Sequence, residues 1–441
     1  MSLLSERRLR GWAGAPLPAP VRRMLAAVLV GALGNGLVLP FLVVYLSQVR
    51  GIPASIAGLA VAWEALLSFA LTPTAGWLVD RFGPGPVLRL SPLVCAVATA
   101  GWAFVHTAPQ AFLPATVSAV GNVGLWPAGA TLLSRLVGED ERQRVFGLNF
   151  AALNLGIGVG GLLAGLFVDA RRPVTFQLLY LGDALAFLAF AAIMFSMRGV
   201  GGPIPPATPT EEESPGTWRD IAADRALRRL AVLSVVMLTC GYGALEVGFP
   251  YFASTVVGVS DRVVAFGYVG NTVAIVLGQM VVIRVLRGRR RSRALGLVGL
   301  LWAGSWLVLG LASKASGAGA VLLVLLCPLV FAVGETLWQP VTPAIINDLA
   351  PEDLRGRYNA VGTLTWSLSG MLGPALTGVL LGAGHSAAWV VLVTVGCLAA
   401  GALALRLRRV LTPGQDGLAP GDMAIPIGHA AGAGLVAEVP D

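Results

Sequence analysis

The chain has 441 residues, 56% of them hydrophobic and only 12% charged, with a net charge of +8 and a mean hydropathy of +0.77. So few charges exclude an ordinary soluble domain, which carries about 25%. The basic excess is almost entirely arginine, in short clusters between apolar runs; Lys314 is the only lysine. That placement fits membrane topology and not a nucleic-acid-binding face.

The apolar runs are continuous and about 20 residues long, the length a helix needs to cross a hydrocarbon core. They predict twelve spans at 24–47, 55–79, 86–106, 111–136, 146–168, 174–196, 229–256, 263–285, 293–312, 319–341, 360–382 and 387–406. The expected fold class is an all-α membrane protein. Barrel strands are excluded, being half as long and alternating in polarity. The first run is too long for a secretory signal and is read as a retained helix.

Between spans the basic residues alternate sharply. One side carries 26 and the other carries 5, namely Arg50, Arg171, Arg172, Arg262 and Lys314, which together make the 31 in the chain. Both termini and the central loop are therefore expected in the cytoplasm of a plasma-membrane protein.

Residues 198–228, with Pro203, Pro205, Pro206 and the run Glu211-Glu212-Glu213, cannot build a core. They are read as a cytoplasmic linker with a short helix from Thr217 to Arg228. The expected organisation is a six-helix bundle at 1–197, the linker, a second bundle at 229–409 and a disordered tail at 410–441. The halves are related. Displaced by 213 positions, residues 119–165 match 332–378 at thirteen of 47 positions. The matches include Pro127 with Pro340, Gly160 with Gly373 and the polar loop Glu139–Arg144 with Glu352–Arg357, so that Arg142 pairs with Arg355. Two parallel repeats with a site at their interface are one plan of secondary transporters.

Four acids sit deep in apolar runs: Glu64, Asp183, Glu246 and Glu335. A carboxyl in hydrocarbon is costly, so it is expected to face a bundle interior or a watery cavity. Glu64 lies about nine residues into its span, roughly 13 Å deep. Glu335 has Asn122 as its repeat mate. With no arginine or lysine in mid-span, desolvation favours the protonated carboxyl. Such a group can carry a proton across or balance a cationic cargo. A protonated acid bonded to a neighbouring helix is the simpler alternative. Asn35 and Pro40 in span one, and Pro250 beside Glu246, predict broken helices lining the cavity, with simple packing kinks at the prolines as the equal alternative. Trp126 and Trp338, near Pro127 and Pro340, are candidates for an apolar pocket, with structural packing the simpler reading. Cys95, Cys240, Cys327 and Cys397 lie in apolar stretches without a CxxC, and His106, His385 and His429 form no pair. No metal and no cofactor is expected.

Gly76-Trp77-Leu78-Val79-Asp80-Arg81-Phe82-Gly83, followed by Arg89, lies between spans two and three. This loop resembles the signature of the major facilitator superfamily. The resemblance extends to the twelve spans, the central linker and the Arg355-Gly356-Arg357 loop. It implies two pseudo-symmetric six-helix bundles and alternating access, with gating roles for Gly76, Asp80, Arg81, Gly83, Arg89, Arg142, Arg355 and Arg357. Asp80 at a helix end can pair with an arginine or with a helix N-terminus. Three departures stand out. Pro84-Gly85-Pro86 replaces the usual basic residues, span four lacks the arginine expected before Gly121, and the second-half loop has no acid matching Asp80.

In span five, Gly156, Gly160, Gly161 and Gly165 resemble the glycine motif of drug:proton antiporters, with Gly161 where a proline is usual. Gly373-Pro374 in span eleven keeps the pair. Close helix packing explains these glycines equally well. Gly156, Gly158 and Gly161 also fit a dinucleotide pattern, but no strand precedes them.

The reading that results is a monomeric carrier, not an enzyme: no HExxH or GxSxG occurs. Its expected partners are protons, a small-molecule substrate and the lipid bilayer, with no nucleic acid. Proton-coupled efflux of amphipathic or cationic compounds leads. Nutrient uptake by symport, a non-transporting sensor and an intramembrane enzyme are the alternatives.

Overall fold

The computed structural model describes residues 16–38, 41–42, 45–168, 172–203 and 217–418. Pro40, Arg7 to Arg10, Arg171, the run Glu211–Glu213 and the tail beyond Leu418 lie outside the described residues.

The described chain is helical, without a strand. Spans one to six contain the helices Ala19–Val38, Ala54–Phe82, Pro84–Trp102, Ala108–Asn122 with Leu125–Arg135, Glu139–Phe167 and Pro173–Phe195. Spans seven to twelve contain Arg225–Val257, Asp261–Leu286, Arg291–Ala312, Gly317–Leu349, Arg355–Gly382 and Ser386–Leu407. Ten helices among the described residues are long and apolar enough to cross a membrane. Spans three and four fall short of that standard, while the helix order stays consistent with twelve. Pro84, Pro86, Arg89, Ser91 and Pro92 lower the hydropathy of span three. Span four breaks at Val123-Gly124 into pieces of 15 and 11 residues.

Within the first half, span one packs on five and six, three on four and six, and two on four. Within the second half, nine packs on ten and twelve, eight on ten, and seven on eleven and twelve. The halves meet where two touches eleven and five touches eight and ten. The repeat relation exchanges the two–eleven contact with the eight–five contact, so the seam is itself pseudo-symmetric.

Lipid tails are as apolar as leucine, so association depends on close fit. Glycines supply it at equivalent places in the halves. A Cβ on Gly160 would stand 3.0 Å from the Cα of Gly36 in span one. One on its repeat mate Gly373 would stand 2.8 Å from the carbonyl carbon of Gly243 in span seven. Gly156 meets Ala32 and the Leu29 carbonyl, whereas Gly161 has only the Gly36 carbonyl at 3.8 Å and Gly165 meets nothing. Only part of the glycine motif is therefore a packing seam.

Span seven departs from α-geometry over Thr239–Gly248, which is a π-helical stretch. Pro250 has no N–H to donate. The carbonyl of Leu245, five residues earlier, accepts instead from the Tyr268 hydroxyl at 2.8 Å. The expected break near Pro250 is thus a widened helix whose freed carbonyl is satisfied by span eight.

The linker helix is shorter than expected, Trp218–Ala223, and Asp224 caps the start of span seven through Ala226 and Leu227. The expectation of a disordered tail from residue 410 gives way over Leu411–Leu418. Asp416 is buried there, accepting from the Ser292 backbone at 2.8 Å and its hydroxyl at 3.1 Å. A carboxylate at the N-terminus of span nine satisfies donors the helix leaves open.

These glycine contacts predict a contrast. Gly160→Ala and Gly373→Ala each lose about 1–3 kcal/mol from overpacking, more than the helix propensity alanine gains. Gly165→Ala, facing open space, keeps or slightly raises stability. Thermal unfolding of the detergent-solubilised protein reads the difference, and equal midpoints for all three would remove the seam from this account.

Candidate functional site

A cavity of about 370 Å³ lies between the halves. Spans one, four, five and six contribute one wall, and spans seven, ten and eleven the other. Its lining is mainly aromatic and aliphatic, with Trp126, Phe146, Phe150, Phe187, Phe190, Trp338 and Trp366. The amides of Asn35, Asn122, Asn149, Gln339 and Asn359 punctuate it. None of its lining residues among those described carries a charge. Such a surface accepts an apolar body and orients it by a few hydrogen bonds.

The four intramembrane acids do not line this cavity; two stand directly behind its wall. Glu64 is half-buried, and the amide of Asn122, a cavity residue, donates to it at 3.5 Å. The Asn122 carbonyl oxygen accepts from Cys95 Sγ at 3.4 Å. Glu335 is buried and accepts from Asn271 Nδ2 at 2.6 Å. Asn271 also donates to the Pro328 carbonyl at 3.1 Å. On span seven nearby, the Tyr242 hydroxyl accepts from Gln339 Nε2 at 3.0 Å. Each half thus ties an acid to an amide across homologous helices. The acid stands on span two in the first half and on span ten in the second.

The other two acids differ. Asp183 is buried within the first half against Gly34, and its Oδ1 has no hydrogen-bond partner among the described residues. Glu246 is exposed on the π-helical stretch of span seven.

The arginine-rich end of the cavity is closed by bonds between the halves. Asp80, at the end of span two, accepts from the backbone N–H of Gly356 at 2.6 Å and of Arg357 at 3.2 Å. It also accepts from Arg357 Nε at 2.8 Å. Its partner is therefore both an arginine and a helix N-terminus, that of span eleven. Gly76 makes room for this contact, since a Cβ there would lie 2.7 Å from that of Ala360. Beside it, Asp348 of span ten is held between Arg142 of span five and Arg291 of span nine. Asn359 adds a bond to Thr131 at 3.2 Å. Gln415, in the docked tail segment, donates to the Asp348 carbonyl at 3.4 Å.

The remaining motif residues are elsewhere. Gly83, with φ of +81°, turns the chain between spans two and three and abuts Gly201 and Gly202. Arg89 donates to the Arg198 carbonyl at 3.4 Å. Both thus hold the start of the linker. Arg81 is exposed, and Arg355 is buried beside Glu352 at 3.9 Å. Pro374 lies half-buried next to the Gly373 seam. Asn35, Asn122, Trp126 and Trp338 all line the cavity. Tyr242, Asn271, Gln339 and Asp348 were missed by the sequence reading. Asn271 and Gln339 are isolated polar residues in apolar runs, the same signal that singled out the acids.

A helical membrane protein whose two related halves enclose a central cavity, bonded shut at one end, is a carrier in architecture. The family model of the Major Facilitator Superfamily matches residues 24–339. The chain belongs to that superfamily, whose members are transporters and not enzymes. The MFS-type transporter YttB of Bacillus subtilis (strain 168) is 23% identical over 374 residues, covering 83% of this chain and 89% of YttB. The multidrug resistance protein MdtH of Aeromonas hydrophila is 27% identical, covering 82% of this chain and 89% of MdtH. Among solved structures, a bacterial homologue of the iron transporter ferroportin in an outward-facing state superposes with a TM-score of 0.72 at 15% identity. That superposition covers 89% of this chain and 100% of the homologue, and it shows the shared fold.

The Asp80 contact yields a prediction. Replacing its charge (Asp80→Asn) removes charge-assisted bonds worth about 1.5–3 kcal/mol. In an Ile346→Cys background, a thiol reagent applied from the arginine-rich end should then label the cavity roughly tenfold faster, since 1.4 kcal/mol is a factor of ten. An unchanged labelling rate would mean that Asp80 does not hold this end closed.

Proposed function

We propose that this transporter exports small amphipathic compounds, neutral or cationic, from the cytoplasm in exchange for protons. The observation that carries the reading is the cavity: an uncharged, aromatic and amide-lined space with carboxyls sheltered directly behind its wall. An anionic cargo would need a cation in that lining. A carboxyl kept from the cargo by the cavity wall can change its charge without losing its shelter, as proton coupling requires.

Other features support the same reading. The closed end carries the excess of arginine, so by the charge rule it faces the cytoplasm of a plasma membrane, as do both termini. The described conformation is then outward-facing. Units at 1–197 and 229–409 would rock about the two–eleven and five–eight contacts to open the other side. A monomer suffices, because one chain builds the whole cavity. The relative MdtH is named a multidrug resistance protein, which accords with such a cargo.

The test uses inside-out vesicles with an established proton gradient. Addition of an amphipathic amine should dissipate the gradient, and Glu64→Gln and Glu335→Gln should each lower the rate by about tenfold or more, the range seen for positioned proton carriers. Normal proton movement in both variants would remove these carboxyls from the mechanism. A compound-independent gradient in the unmodified protein would overturn the exchange itself.

A further inference from the structure

After span twelve the chain reads Leu411-Thr412-Pro413-Gly414-Gln415-Asp416-Gly417-Leu418. Pro413 cannot continue a helix, and the segment closes on itself instead. The Thr412 N–H donates to Gln415 Oε1 at 2.9 Å, and the Gln415 N–H donates to Thr412 Oγ1 at 3.3 Å. The N–H groups of Asp416 and Leu418 return to the carbonyls of Thr412 and Pro413 at 3.0 and 2.9 Å. Gly417 takes a φ of +85°, a conformation that favours glycine. Leu411 is buried in the core of the second half. These bonds give the segment a defined shape, and that shape is fitted to one residue.

The residue is Arg291, at the start of span nine. Its backbone N–H donates to the Asp416 carbonyl at 2.8 Å, and its Nη1 donates to the Gln415 carbonyl at 3.0 Å. A Cβ on Gly417 would lie 3.0 Å from Arg291 Cγ, so the segment lies directly against the arginine stem. The neighbours are fastened too. The Asp416 carboxylate takes the N–H and hydroxyl of Ser292, and Arg290 Nη1 at 3.3 Å. Gln415 Nε2 reaches the Asp348 carbonyl, so one amide clasps the turn at one end and span ten at the other.

Arg291 also faces the seam between the halves. It meets the Asp348 carboxylate, and its Nε donates to Gln143 Oε1 of the first half at 3.3 Å. The same buried carboxylate receives Arg142 from the first half. Closing this end therefore needs Asp348 held in place for Arg142. The bonds of the segment to Arg290, Arg291, Ser292 and Asp348 all lie within the second half, so they prepare the seam without crossing it. They order two side chains in advance, which lowers the cost of closure. They also cover a charge pair from water, and a covered pair is screened less.

We propose that Thr412–Leu418 is a strap on the closed gate: Asp416 and Gln415 are positioning residues that seat Arg291 against Asp348, so that Arg142 of the first half meets a prepared partner. The proposal concerns the gate alone and is independent of the cargo and of proton exchange. Opening breaks the contact of Arg142 with Asp348 and leaves the strap, Arg291 and Asp348 together as one unit. The strap shifts the equilibrium toward closure because it strengthens a contact that only the closed state makes.

The experiment is labelling of Ile346→Cys in the full-length protein by a membrane-impermeant thiol reagent, in inside-out and in right-side-out vesicles. Asp416→Ala, and a chain stopped after Leu411, should each be labelled about tenfold faster from the arginine-rich end. Gln415→Ala, which leaves Asp416 seated, should be labelled about threefold faster. Labelling from the opposite end should not rise, because alternating access opens one end as it closes the other. In an Asp80→Asn background, whose contact is separate, the Asp416→Ala increase should persist; in Asp348→Asn it should vanish. Thermal unfolding checks that each variant is folded, and Gln415→Ala decides alone where the other two are not. Unchanged labelling in the folded variants, or an equal rise from both ends, overturns the strap. An Asp416→Ala increase that survives in Asp348→Asn overturns the route through Asp348. A chain stopped after Leu418 that labels as fast as one stopped after Leu411 overturns the assignment to this segment.

Discussion

Hydrocarbon offers no partner to a polar group, and this constraint orders the whole molecule. Backbone groups are satisfied within helices, and where a helix is interrupted the neighbouring span makes good the loss. Tyr268 does this for the Leu245 carbonyl below Pro250. Side-chain polar groups obey the same rule. Glu64 and Glu335 are each given an amide from an adjacent helix in place of a cation. An amide can serve either protonation state of a carboxyl, as donor or as acceptor, whereas an arginine would hold the acid permanently ionised. The choice of partner thus keeps both charge states of these acids available.

The ion pairs of the protein are placed where their commitment is useful. At the arginine-rich end Asp80 with Arg357 and Arg142 with Asp348 tie one half to the other, while Arg291 holds Asp348 from within the second half. These are strong, directional contacts, and part of what Asp80 binds is the open N-terminus of a helix. A seam of this kind is either made or broken, in contrast to the glycine contacts inside each half. Gly160 with Gly36 and Gly373 with Gly243 have no alternative arrangement at such short range. Rigid units joined by breakable ionic contacts are the physical basis for motion between halves.

Much of this was legible in the sequence, because spans announce themselves by length and apolarity and because the 213-residue repeat survives in a polar loop. What escaped depended on contacts distant in the chain. The partner of Asp80 lies 276 residues away in the Arg355–Arg357 loop, and nothing local to either segment names the other. The break in span four at Val123-Gly124 was hidden because both pieces are apolar. Glu246 and Glu335 are alike in sequence context, yet one is exposed and the other enclosed. Their difference is one of helix facing, altered where span seven widens. Asn271 and Gln339 are neutral, so no charge sets them apart from other polar residues in apolar runs.

The two halves repeat a scaffold without repeating its chemistry. Asn122 and Glu335 are repeat mates, so the amide of one half stands where the acid of the other does. Trp126 likewise corresponds to Gln339, an aromatic cavity residue against a polar one. The first half therefore meets the cavity with an amide backed by an acid, and the second with an amide bonded to a tyrosine. A strictly symmetric pair of carboxyls would feel the same environment and would tend to titrate together. Here the surroundings differ: Glu64 is half-buried behind Asn122, whereas Glu335 is enclosed within its own half beside Asn271.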